Sequence, residues 1–483
     1  MRFCQPSAPL RGKGRGMLRA LTLALALASL HALSSRAQDV QAAPDAPSAE
    51  AANSGNTAWT SGYLFDFSTF GEESGLAQRM ADAGLYLNGG ETGILAGTVG
   101  GGEGRGAVFD NDFLLEVDLD LNRILGIPGA AMHIAIDDRV GGNLAKFTGD
   151  TLIVPQTFGP NEVLQFQELD WDQSLFDGHV LLLIGRQSPV MDYDALPVGC
   201  NFVFTNNCAN PTPFASMNNG PPIAPASTYG ARMSIHPTEA TYLRFGVYED
   251  NPNAESQLSN LGDNWGFRYA TGAFVPVELG YKTDFVSDPY PRLYAVGFFH
   301  DSSPFPDPLL TTARGTPVPD QGRNWVYALA QQMIWRPDLS ETRRGLILFG
   351  DVMFGSGEAQ IHDFYQSGFS WQGPLASHPH DSLNFLVQYQ VLDQRLAYAE
   401  TLAANQAGVP GRVTPGETDL ELNYLWQVGA GVSFQPFVEY MIHPDQIGFA
   451  VPNPRLPSAL TLGTEIAIAL PDSLGLPVFT RQN

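Results

Sequence analysis

Lysine is nearly absent: Lys13, Lys146 and Lys282 are the only three in 483 residues. Acids outnumber bases, 50 against 26, for a formal net charge of −24. That balance repels nucleic acid and anionic lipid surfaces, so neither is an expected partner. Cysteine is equally scarce, at three. No CxxC, HExxH or Gly-x-Ser-x-Gly spacing occurs, which leaves no redox, zinc-protease or serine-hydrolase motif. The Gly-rich stretch 100–106 lacks the Lys-Ser/Thr of a phosphate loop and the spacing of a dinucleotide turn, so it reads as a loop. No cofactor, metal or catalytic set is expected. Residues 20–33 form the longest apolar run, too short for a spanning helix. Whatever crosses a membrane here must cross as strands.

What is present begins with an address. Arg2, Arg11, Lys13, Arg15 and Arg19 precede the apolar run, and Ser35 and Ala37 supply small residues at −3 and −1. Residues 1–37 therefore read as a secretory signal peptide. Its removal leaves 20 basic and 50 acidic residues, a net charge of −30. Cys4 leaves with it, so Cys200 and Cys208 remain as an even pair in an oxidising compartment and are expected to form a disulfide. Residues 38–58, rich in Ala, Pro, Ser and Asn, read as a flexible linker. Residues 59–83 form an N-terminal segment with a short helix over 72–83, where Leu76, Met80 and Ala83 share a face. Fifty Gly and 36 Pro exclude a helical bundle, and 29 Phe with 16 Tyr exclude a solvated coil.

Strand periodicity dominates the rest. In 112–122, Phe113, Leu115, Val117, Leu119 and Leu121 fall on one face, while Asp112, Glu116, Asp118, Asp120 and Asn122 share the other. A period of two with acid on one side means one face meets water and the other does not. The pattern recurs with Met132, Ile134 and Ile136, with Leu243, Phe245 and Val247, with Leu420 and Leu422, and with Leu460 and Leu462. About sixteen strands are counted, from 84–100 to 459–470, with residues 265–269 taken as loop or strand extension. Short links (237–240, 429–431) alternate with long ones (139–162, 187–228, 301–323, 394–418). Short turns on one rim and long loops on the other predict an all-β, antiparallel transmembrane barrel of the outer-membrane porin type over residues 84–470, with both termini on the short-turn side. Trp325 and Trp335 on one strand, and Tyr424 and Trp426 on another, are expected to face lipid at the strand ends.

Over residues 76–470 the chain resembles the OprB-type carbohydrate-selective porins of Gram-negative bacteria. The matching stretches are Gly75-Leu76-Ala77-Gln78-Arg79-Met80-Ala81-Asp82-Ala83-Gly84, Gly185-Arg186-Gln187, Cys200-Asn201-Phe202 with Cys208, and Pro276-Val277-Glu278-Leu279-Gly280-Tyr281. Ala330-Gln331-Gln332-Met333-Ile334-Trp335-Arg336-Pro337, Glu421-Leu422-Asn423-Tyr424 and Gln435-Pro436-Phe437-Val438-Glu439-Tyr440 follow, then Pro444. The resemblance implies a sixteen-stranded barrel passing small sugars across the outer membrane. One departure stands out: such barrels usually end on an aromatic residue closing the last strand, whereas residues 471–483 continue here as a tail.

A sugar pore needs wall groups that donate and accept hydrogen bonds and rings that stack on a sugar's C–H face. The expected inward set is Arg232, Arg244, Arg292 and Arg336 with Glu116, Asp118, Asp120, Glu278, Glu421 and Glu439; Tyr242, Tyr248, Tyr294 and Phe298 share their side. On the plainer reading, any water-facing strand face carries Arg and Glu. The segment 187–228 is the expected constriction, because some forty residues without regular structure are anomalous unless functional or folded inward. A Cys200–Cys208 clip in its middle would contribute about 2.5 kcal/mol by loop-closure entropy. His378-Pro379-His380-Asp381 reads as a turn rather than a metal site. The expected partners are small neutral sugars in the lumen and outer-membrane lipid around it. A lipase-like barrel enzyme, a general ion porin and a secreted β-protein are the alternatives. The sequence patterns set no oligomeric state.

Overall fold

A computed structural model of the protein describes residues 63–151, 153–157, 164–189, 192–203, 224–251, 266–356, 360–447, 449 and 451–480. The proposed signal peptide, the linker 38–58 and Cys208 lie outside the described residues. Among the described residues there are sixteen strands. The first half is β1 (Leu85–Gly100), β2 (Gly106–Asp120), β3 (Ala130–Gly141), β4 (Gln165–Leu175), β5 (Val180–Gln187), β6 (Thr228–Ile235), β7 (Thr241–Asp250) and β8 (Gly272–Lys282). The second is β9 (Arg292–Thr311), β10 (Pro317–Trp335), β11 (Gly345–Ser356), β12 (Ile361–Gln372), β13 (Ser382–Leu392), β14 (Gly416–Gly429), β15 (Val432–Ile442) and β16 (Ala459–Ala469). Each pairs antiparallel with its chain neighbours, and β1 pairs with β16 to close the barrel, as the period-two pattern predicts. Closure leaves no free sheet edge, so every strand's backbone is answered on both sides. Among the described residues no helix is long and apolar enough to cross a membrane.

The seam where β16, β1 and β2 meet depends on two glycines. Gly89 has φ +100°, in the region that favours glycine, and a Cβ on it would lie 2.2 Å from the Leu114 carbonyl oxygen. A Cβ on Gly90 would lie 1.9 Å from the Ile468 carbonyl oxygen, across the closing pair. Gly90→Val is therefore expected to push β1 off β16 and abolish the compact, heat-modifiable form on SDS electrophoresis. Gly100→Ala, where an added methyl meets open space, should run as the wild type.

The outward faces carry the apolar residues of each alternation. Leu95, Phe109, Ile184, Val247, Leu279, Leu348, Leu422 and Leu462 are all exposed, as lipid-facing positions of a barrel must be. Trp171, Trp335 and Trp371 are exposed near the short-turn rim and make an aromatic belt there. Trp325 departs from expectation. A register shift between Met333 and Trp335 exchanges the faces along β10, so Trp335 looks outward while Trp325 is buried in the interior.

Two expected loops carry structure. The 301–323 link is the extension of β9 and β10 into a long hairpin, with register shifts beside Pro317 and next to Gly322 that accommodate residues unable to complete the ladder. The 394–418 link holds a helix over Gln394–Gln406, started by the Asp393 carboxylate, which accepts the Arg395 and Leu396 amides. The short helix foreseen over 72–83 is split into Phe70–Glu73 and Leu76–Asp82 at Gly75, whose φ is +66°. After β16 the tail turns through a short helix (Leu470–Leu474) and runs back to the N-terminal segment, where Gly475 packs against Ser68.

Candidate functional site

The link between β5 and β6 turns into the barrel. Residues 192–203 cross the lumen as a strap, and inward side chains answer its backbone one after another. The Asp192 carbonyl accepts from Arg244, and its carboxylate pairs with Arg232. The Asp194 amide donates to Glu278 at 2.9 Å, and the Val198 amide to Gln331 at 2.9 Å. A 3₁₀ turn (Pro197–Asn201) then carries the strap to the far wall. There the Asn201 carbonyl accepts from Asn423 (2.9 Å) and Gln435 (2.8 Å), and the Val203 amide donates to both Glu421 oxygens (3.0 and 3.1 Å). Buried backbone groups must be paired, and side chains from five wall strands (β7, β8, β10, β14 and β15) do the pairing here.

The strap also divides the interior chemically. Tyr193, Leu196, Val198 and Phe202 pack into a core with Tyr248, Phe274, Phe299, Tyr327, Ile347 and Phe349. Phe202 lies 5.6 Å from Phe349 and Tyr193 6.3 Å from Tyr248, ring to ring. This side of the lumen, along β7–β12, is filled and largely apolar. The side along β1–β4 and β13–β16 is polar, with Asp110, Asp118, His133, Asp137, Asn384, Gln388, Glu421 and Glu439 facing inward.

Four of the expected lining residues come together. Arg244 lies over the Tyr242 ring at 5.1 Å and the Tyr193 ring at 5.9 Å, with Glu278 at 3.9 Å. Glu278 accepts from Tyr242 (2.7 Å), Tyr327 (2.6 Å) and the Asp194 amide, so it is the latch of the strap. Arg232 sits beside them through Asp192. Beneath the strap, toward the short-turn rim, Asp192, Tyr242, Arg244, Glu278, His236 and Lys282 help line a cavity of about 310 Å³. Burial, with Arg244, Lys282 and His179 nearby, holds His236 below the ordinary histidine range.

Glu116 and Asp118 face inward five strands away on β2. Asp118 lies 2.5 Å from His133 Nδ1, and Asp172 lies 4.0 Å from the other ring nitrogen. The Phe479 ring of the tail packs at an angle nearby, 5.3 Å from Tyr86 and 5.6 Å from His133. The tail thus reaches into the short-turn mouth. Glu116, Asp118 and His133 lie close enough to hold one ion, as do Asp150, Glu417 and Asp419.

Five expected positions are corrected. Asp120 caps the helix Leu121–Leu125, accepting the Asn122 and Arg123 amides, and so belongs to a turn. Arg336 donates to the Pro289, Leu339 and Glu341 carbonyls and ties short turns together. Arg292 pairs with Asp288 at the same rim. Tyr294 lies on the outward face and donates to Gln332, and Phe298 is likewise outward. On β9 the inward residues are Leu293, Ala295 and Phe299. The strap's apolar core inverts the usual polar-inside rule there, so polarity alone assigns the wrong face.

Two inward arginines escaped the sequence reading. Arg139 pairs with Asp112 (2.8 Å) and Asp137 (3.4 Å) on the polar wall, and Arg323 with Asp301 (2.7 Å) near the loop rim. The signal for Arg139 was available: the alternation of His133 and Asp137 reaches it after two more residues.

Burial beside the Asp351 and Glu278 carboxylates pushes the Asp194 carboxyl well above its usual range. The docked strap then holds a proton that a released strap gives up. Docking is strongest at low pH and weakens as pH rises through the Asp194 range. Single-channel current noise should grow as pH rises above the ordinary carboxylate range in the wild type, and Asp194→Asn should flatten that dependence.

With this geometry in view, the comparisons decide the family. The profile described as carbohydrate-selective porin, OprB family, matches residues 105–470. The chain belongs to that family. Porin B of Pseudomonas aeruginosa is 23% identical over 365 residues, 70% of this chain and 77% of that protein. The putative porin QuiX of Acinetobacter baylyi is 25% identical over 358 residues, 68% of this chain and 77% of that protein. Among solved structures, Pseudomonas putida OprB at high pH matches with a TM-score of 0.73 at 21% identity, covering 82% of this chain and 97% of that one. This OprB-family barrel is therefore a carbohydrate-selective porin of the Gram-negative outer membrane. The family and these relatives are porins, not enzymes.

Proposed function

We propose that neutral sugars pass between the strap and the polar wall, then leave through the cavity beneath the strap. The observation that carries this reading is the strap itself, pinned from Arg232 and Arg244 on one side to Glu421 on the other. Arg139 with Asp112 and Asp137 would meet the sugar first, then Glu116, and finally Arg244, Tyr242 and Glu278. The inward arginines stand in close pairs with carboxylates, Arg139 with Asp112, Arg232 with Asp192 and Arg323 with Asp301, and present hydrogen-bonding groups with little net field at those points. A neutral polyol can exchange its water for such groups, whereas a charged solute is attracted to one partner and repelled by the other.

In the same reading, residues 1–37 are a signal peptide, residues 38–83 and 471–483 lie on the periplasmic side, Cys200 and Cys208 clip the strap, and the outward face contacts lipid. The test is solute uptake into liposomes carrying the purified protein. Neutral hexoses should enter faster than glucosamine or gluconate of similar size. Equal rates for all three would remove the proposal.

A further inference from the structure

A second cluster lies apart from the sugar route's arginines, at the loop rim of β14. Glu417 and Asp419 point inward there, and Asp150 reaches them from the β3–β4 loop. One oxygen from each carboxylate lies within 4.8 Å of the other two. A calcium ion bound at 2.3–2.6 Å places its ligand oxygens at such separations. All three side chains are buried: Asp419 and Asp150 are 0% exposed and Glu417 1%. Neither Asp419 oxygen accepts a hydrogen bond, and Glu417 Oε1 accepts none. Among the described residues no lysine or arginine pairs with Glu417 or Asp419. Buried carboxylates left this way carry a large desolvation cost unless a cation meets them or a proton neutralises them.

Gln390 adds an observation independent of the acids. It faces Glu417 across the β13–β14 pair, and its amide nitrogen donates to Glu417 Oε2. That bond fixes the amide's orientation, yet its oxygen is fully buried with no donor. An unanswered amide oxygen on the residue that faces Glu417 is the kind of neutral ligand that an oxygen-only site uses. The donors include no histidine or cysteine, which selects a hard cation over a transition metal.

We propose that Asp150, Glu417 and Asp419, with the Gln390 amide oxygen, bind a single calcium ion. Such an ion ties the β3–β4 loop to β14. The same loop is already joined to the β15–β16 loop, where Thr151 donates to the Ile447 carbonyl at 2.8 Å and to Asp445. The ion would therefore fasten two inward-leaning loops to the wall across six strands. This does not depend on which solute the channel passes.

The test uses the full chain in detergent, stripped with EDTA and titrated with calcium chloride by calorimetry. One calcium per chain is expected, with a rise in melting temperature. Asp419→Asn and Asp150→Asn should each weaken binding about tenfold or more, while Glu72→Gln, exposed in the helix Phe70–Glu73, should not. If Asp419→Asn fails to fold, Asp150→Asn, in the loop, carries the test. No binding at millimolar calcium, unchanged binding in Asp150→Asn, or tighter binding of magnesium than of calcium would overturn the proposal.

Discussion

Glu278→Ala is expected to release the strap and raise single-channel conductance by a factor of about two or more. Three donors converge on this one carboxylate: Tyr242, Tyr327 and the Asp194 amide. Hydrogen bonds to a charged acceptor are worth about 1.5–3 kcal/mol each, and removing the acceptor leaves all three donors buried and unanswered. Arg244 loses a carboxylate at the same time. The net loss should be about 3–5 kcal/mol, charged mainly to the strap because the strand ladders around it are untouched. Glu278→Gln keeps an acceptor and should fall between the two. The barrel itself should stay folded, so electrophoretic heat-modifiability separates a released strap from a collapsed protein. A conductance equal to wild type in Glu278→Ala would show that the strap is held elsewhere.

Arg244→Ala should have the second-largest effect, on sugar binding in place of ion flow. Its guanidinium is stacked against Tyr242 and Tyr193, and one nitrogen is held by the Asp192 carbonyl. Its Nε donates to Ser234 at 3.2 Å, and the side chain helps line the cavity below. Losing one charged hydrogen bond to a sugar hydroxyl weakens binding about tenfold or more. Arg244→Lys keeps the charge but not the fork, so it should recover only part of the sugar affinity. Full recovery by lysine would mean that charge alone matters.

Much of this architecture is written in local pattern. Each strand carries its own period of two, and link lengths set which rim is which, so strand number and order follow without tertiary knowledge. The strap was legible for a different reason: a link as long as 187–228 without regular structure is uncommon unless it is functional or folded inward. What local pattern misses is anything defined by a partner far along the chain. Tyr294 and Phe298 were misplaced because the strap makes the β9 interior apolar, and β9 does not encode the strap. Trp325 was misplaced because one bulge near Met333 shifts parity along β10. Asp120 looked like wall because its alternation continues from Asp118, but the chain turns there and a carboxylate at that point caps a helix. Asp150 gives no local hint of Glu417 and Asp419, since only the inward course of its loop joins them.

The central claim is that a sugar occupies the lumen beside the strap, and one measurement addresses it directly. Ion current through the wild-type channel in a planar bilayer is followed while glucose is titrated from either side. The account predicts a graded, saturable fall in current, with a midpoint shifted to higher glucose in Arg244→Ala. Current that stays constant up to high glucose, or that falls only in proportion to solution viscosity, would contradict it.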